Sequence, residues 1–138
     1  MLKLTKLISD KRFSLSCALI ATISILVLSL MKTDQFPSIE IEATDKVYHI
    51  LAYFALTLSW HFHYTVTHLQ KAKIKVLLRI LLLIIGFGIV IEILQNSVTS
   101  YRTFDLKDIY ANTFGSGIAT LIFVAVLEKI KNKIQKFR

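Results

Sequence analysis

A single cysteine, Cys17, occurs in the 138 residues. It cannot form an intramolecular disulfide, and no Cys/His set has the spacing of a zinc site. No small-residue lipobox stands before it, so Cys17 reads as a small packing residue. Proline is as scarce, with Pro37 alone, and there are four glycines. The "GSG" at Gly115–Gly117 lies inside an apolar run and is not a phosphate loop. No nucleophile motif, internal repeat or low-complexity tract is present. Acidic residues are few: nine face 17 Lys and Arg, for a net charge of +8.

What fills the chain is hydrophobic, at 54% of residues. A soluble domain of this length buries a limited fraction of its surface and could not hide so much apolar area. A bilayer acting as solvent removes the difficulty. The positive charge lies in three short segments beside apolar runs, where insertion bias and anionic lipid explain it. Aromatic residues sit inside the apolar runs and are not interleaved with the basic clusters, so nucleic acid is not an expected partner.

A helix needs about 20 apolar residues to cross the hydrocarbon. Four segments qualify: 13–31, 47–66, 76–94 and 109–127. The first has a basic flank before it but no A-x-A site after it, which predicts a retained span rather than a cleaved signal peptide. Lys3, Lys6, Lys11 and Arg12 precede span one. Lys71, Lys73 and Lys75 lie between spans two and three, and Lys129, Lys131, Lys133, Lys136 and Arg138 follow span four. The two other loops are acidic or balanced. The expected fold is therefore all-α: one domain over residues 1–138, a polytopic bundle of four transmembrane helices with both ends inside. Residues 128–138 form a basic amphipathic tail on the inner leaflet.

Polar residues gather where these spans meet the outer face. Asp45 and His49 are one turn apart on a helix face. Asp45, beside Thr44, is well placed to cap the helix start. An imidazole one turn into the membrane needs a partner, and Asp45 would hold its tautomer. Glu92 sits at the end of span three, where a carboxylate opposes the helix dipole, so it calls for a cation or a hydrogen bond. Arg102, Lys46, His49 and Lys107 are its candidates. Gln95 follows on the same face. Thr103 or Asp105 can cap span four, and Asp108 and Asn112 are paired at i, i+4. Ala111, Gly115 and Ala119 form a row of small residues for close helix packing. His61, His63 and His68, with Trp60, Phe62 and Tyr64, read as an interfacial aromatic belt at the inner end of span two.

The blocks "DKVYHILAY" (Asp45–Tyr53), "EILQ" (Glu92–Gln95) and "RTFDLKDIYANTFG" (Arg102–Gly115) resemble, in order and spacing, the motifs of the VanZ-like family. The resemblance covers roughly residues 40–125. It implies a small polytopic bacterial membrane protein, in a family whose named member is associated with resistance to the lipoglycopeptide teicoplanin. The family's polar positions fall on Asp45, Lys46, His49, Tyr53, Glu92, Gln95, Arg102, Asp105, Asp108 and Asn112. Tyr101 stands where the family often has proline.

Three functions compete. In the first, an outer-face cluster in the bacterial plasma membrane binds an amphiphilic, lipid-linked or lipoglycopeptide ligand, with Lys46, Tyr53, Gln95, Arg102, Asp105 and Asn112 as binding residues. In the second, an intramembrane hydrolase or transferase uses His49 as base with Asp45, Glu92 or Asp108. In the third, the cluster only fixes helix packing in an accessory subunit. One His among carboxylates could hold a divalent ion, but no metal ligand set is assigned and no cofactor is expected. A transport pathway would require oligomerisation.

Overall fold

The computed structural model describes residues 10–31, 42–68, 72–99 and 103–136. These form four helices: α1 (Lys11–Leu30), α2 (Glu42–His68), α3 (Ile74–Val98) and α4 (Leu106–Lys136). All four expected segments are helical apart from Met31, the C-cap of α1, and α2, α3 and α4 each run past the apolar segment that marked them at both ends. Arg102 lies outside the described residues, as do Tyr101 and the loop around Pro37.

Local chemistry sets the ends. Asp10 caps α1, its carboxylate accepting from Arg12 N at 2.7 Å. Asp105 caps α4 through Lys107 N at 2.8 Å, with Asp108 in the first turn, where the helix dipole favours a carboxylate. α2 begins at Glu42, so Asp45 lies inside the first turn of the helix rather than at its cap. α4 has 31 residues, a length of about 46 Å. This exceeds the hydrocarbon thickness of about 30 Å, and the basic tail does continue the last span as helix.

Three of the four helices, α1, α3 and α4, are long and apolar enough to cross a membrane. α2 is long enough but more polar, and its position explains why. It packs most extensively on α4 and also contacts α1 and α3, so its polar side chains meet protein. Trp60 Nε1 donates to Thr22 Oγ1 of α1 at 3.1 Å. His63 Nδ1 lies 3.1 Å from Ser14 Oγ. His61 is fully buried, with Nε2 3.0 Å from Thr120 Oγ1 of α4. These side chains therefore tie α2 to its neighbours. Many exposed side chains of the other helices are large and apolar, Leu82, Leu83 and Leu121 among them, as a lipid-facing surface requires.

The row of small residues on α4 does what its spacing predicts. Ala111 and Ala119 are buried. A Cβ on Gly115 would stand 2.2 Å from Ile50 O, so α4 lies directly on the backbone of α2. That close contact brings the start of α2 beside the start of α4.

Candidate functional site

Lys46 is the hub of the polar end. Its ammonium donates to Asp105 Oδ2 at 2.7 Å and to Asp108 Oδ1, and lies 3.6 Å from Asp45 Oδ2. One turn deeper, His49 Nδ1 meets Asn112 Oδ1 at 3.0 Å. The amide oxygen can only accept, so Nδ1 carries the proton. Nε2 then faces the two carboxylates, 3.6 Å from Asp108 Oδ2 and 3.9 Å from Asp45 Oδ1. Asp108 and Asn112 are buried, and Asp45 is open to the outside. Asp105 is held below the usual carboxylate range, first by the hydrogen bond from Lys46 and then by that from Lys107 N.

α3 supplies the other wall. Glu92 is 1% exposed, and its Oε1 accepts from Asp105 N at 2.8 Å. Among the described residues its direct partner is thus a backbone amide rather than a cation. Asn96, one turn on, accepts from Phe104 N at 3.3 Å. Glu92 and Asn96 together clamp the segment that leads into α4. Reading the sequence alone misses Asn96, although its place one turn beyond Glu92 is a legible signal. Gln95 points elsewhere: its Nε2 donates to Ser29 O at 2.8 Å and ties α3 to α1.

Two polar atoms beneath the cluster are buried and lack hydrogen-bond partners, Glu92 Oε2 and the Tyr53 hydroxyl. Tyr53 lies one turn below His49 on α2 and packs beside Phe87, with ring centroids 6.5 Å apart. A Cβ on Gly88 would come within 3.0 Å of its ring. Farther along the bundle, an apolar cavity of about 410 Å³ opens between α1, α2 and α3, lined by Leu56, Trp60, Tyr64, Ile80, Ile84 and Phe87.

The structure therefore brings together Asp45, Lys46, His49, Asp105, Asp108 and Asn112, with Glu92 against Asp105. Tyr53 lies below them, and Gln95 is turned to another helix. The arrangement can neutralise charge, position a proton on an imidazole, and present two carboxylates and a ring nitrogen to a cation.

The VanZ/LLP1 family model matches residues 7–127. An uncharacterised protein of the fission yeast Schizosaccharomyces pombe is 31% identical over 99 residues, 72% of this chain and 58% of that protein. The chain thus spans rather more than half of that relative's length. The relative is eukaryotic, so the likeness does not carry the bacterial origin that the motifs imply. No solved structure matches.

Proposed function

The chain belongs to the VanZ/LLP1 family, and from that premise we propose a multi-pass membrane protein that binds the charged headgroup of an amphiphilic or lipid-linked ligand. α2 is the fourth span. Both chain ends face the cytoplasm, and the Lys46–His49 end faces outward. The positive-inside bias supports this orientation, because Lys73, Lys75 and Lys129 lie at the opposite end from Asp45 and Asp108.

The observation that carries the reading is the ionic network itself. Lys46, Asp105, Asp108, His49 and Asn112 come from two helices and the segment before the second, and they converge at one end of an otherwise apolar bundle. Ionisable groups at membrane depth are costly and mark sites of function. Lys46 would meet an anionic group of the ligand. The apolar cavity supports a ligand with an acyl or aromatic portion. Lipid-linked precursors and lipoglycopeptides of the teicoplanin kind share that chemistry. A second reading, an intramembrane hydrolase, draws on His49 Nε2 between Asp45 and Asp108.

The test is mass spectrometry of molecules that co-purify with the protein, before and after Lys46→Met and His49→Gln at matched abundance in the membrane. An amphiphile retained by the parent and lost from both variants supports binding. Identical lipid profiles for all three proteins reject it. Loss of both variants from the membrane would assign the cluster to packing instead.

A further inference from the structure

The two carboxylates beside His49 each use one oxygen on Lys46 and turn the other toward the imidazole. Asp45 places Oδ2 near Lys46 and Oδ1 near His49 Nε2, while Asp108 gives Oδ1 to Lys46 and turns Oδ2 to the same ring nitrogen. The bond to Asn112 places a proton on Nδ1, so Nε2 faces the two carboxylate oxygens with either a lone pair or a second N–H. Separations of 3.6 and 3.9 Å are too long for hydrogen bonds. A lone pair there is repelled unless a cation stands among the three atoms, whereas a second proton would make the ring an imidazolium paired with the carboxylates.

We propose that Asp45 Oδ1, His49 Nε2 and Asp108 Oδ2 hold one divalent transition-metal ion, such as Zn²⁺ or Mn²⁺, with Lys46 and Asn112 as positioning residues. Ligand atoms from the three side chains all lie within 4.8 Å of one another. Zinc bonds to nitrogen and oxygen of about 2.1 Å place tetrahedral neighbours about 3.4 Å apart, so the two carboxylates need to close on Nε2 from 3.6 and 3.9 Å, and on each other from within 4.8 Å. Nδ1–H bonded to an oxygen acceptor is the outer-shell arrangement that orients a ligating histidine.

Charge and burial point the same way from outside the triad. Glu92 reaches the cluster from α3 and interacts electrostatically with Asp108 and His49. Its Oε2 is buried without a hydrogen-bond partner. Among the described residues, the four carboxylates of Asp45, Glu92, Asp105 and Asp108 are balanced by the ammonium groups of Lys46 and, beside Asp105, Lys107. The carboxylates outnumber the ammonium groups, and a cation would offset that excess. Three protein ligands leave at least one position open, as in sites where the metal meets water or a substrate. At the open Asp45 side that position would take a phosphate or carboxylate oxygen. This deepens the headgroup-binding reading, and only the use of the open position rests on it.

The test needs no amphiphile. Tag-free protein in a Cys17→Ser background is purified in detergent, stripped with a chelator, loaded with Zn²⁺ or Mn²⁺ and desalted. Metal is then counted by plasma mass spectrometry. About one ion per chain is expected in the parent, with loss in His49→Gln and in Asp108→Asn. Asn112→Ala keeps all three ligands and guards against misfolded variants. Its metal affinity should fall by roughly 10- to 100-fold. Co²⁺ loading should give visible ligand-field absorption in the parent that disappears in His49→Gln. A parent that retains no ion, or a His49→Gln protein that retains it equally, overturns the proposal and leaves His49 as an imidazolium partner of Asp108. Neither of those results bears on the co-purification of an amphiphile.

Discussion

His49 and Asn112 join α2 to α4 by a hydrogen bond of 3.0 Å, one turn inside the charged end of the bundle. The residues are 63 apart in the chain, yet each stands one helical turn from an aspartate, Asp45 and Asp108. Two helices that begin at the same end thus present matching pairs of polar side chains. The bond between the lower members fixes which imidazole nitrogen carries the proton.

That bond is measurable as a coupling. In a double-mutant cycle with His49→Leu and Asn112→Ala, the pair should contribute about 0.6 kcal/mol, the average for hydrogen bonds between membrane helices, and at most about 1.7 kcal/mol. Equilibrium unfolding in mixed micelles gives the four stabilities. Additive losses would mean that the two side chains do not interact.

The helix contact itself depends on Gly115. A methyl there would meet the Ile50 carbonyl, so Gly115→Ala should destabilise the bundle by roughly 1–3 kcal/mol. Gly117 has open space where a methyl would stand, and Gly117→Ala should be neutral or gain up to about 1 kcal/mol of helix propensity. Thermal melts of both variants against the parent check the contrast. The opposite ranking would place α4 in a different register.

Much of this was legible in the chain. Apolar runs of bilayer length located all four helices, and i, i+4 spacing paired Asp45 with His49 and Asp108 with Asn112. Small residues at every fourth position signalled close helix packing at Gly115, but not that Ile50 would be its partner. Pairing between helices was not legible. Nothing local to Lys46 says that it reaches Asp105 and Asp108, or that Gln95 turns away to Ser29. Composition did not reveal the partners of His61 and His63 either. Their aromatic neighbours suggested an interface, whereas His61 Nε2 meets Thr120 Oγ1 of α4 and His63 Nδ1 meets Ser14 Oγ of α1. A histidine's partner lies on another helix, and sequence periodicity records only its own.

The Lys46–Asp105 pair sets a pH dependence. Asp105 titrates lower in the folded protein than its unfolded value of about 3.9. Its stabilising effect is therefore complete above that value and is lost as pH falls through the lower folded value. Asp105→Asn keeps a capping side chain but removes the charge pair. The stability difference between parent and variant should stay constant from pH 5 to 8, about one unit and more above that value, and close in more acidic buffer. A difference that grows with acid would contradict the pairing.

Glu92 holds the segment before α4 through the Asp105 amide. Glu92→Leu should speed hydrogen exchange at that amide by roughly tenfold or more, since an unmet buried hydrogen bond costs about 1–3 kcal/mol. Glu92→Gln retains an acceptor and should protect it nearly as well as the parent. Exchange read by mass spectrometry on peptides covering 99–108 distinguishes them. Equal exchange in all three proteins would detach Glu92 from the clamp.

The assembly of the charged end is tested most directly by zero-length carbodiimide coupling in native membranes, followed by peptide mass spectrometry. An ammonium in contact with a carboxylate can be joined to it as an amide. The expected product links Lys46 to Asp105 or Asp108, side chains that the sequence separates by 59 and 62 residues. A Lys46 that stays uncoupled, or couples only to carboxylates elsewhere in the chain, would contradict the site.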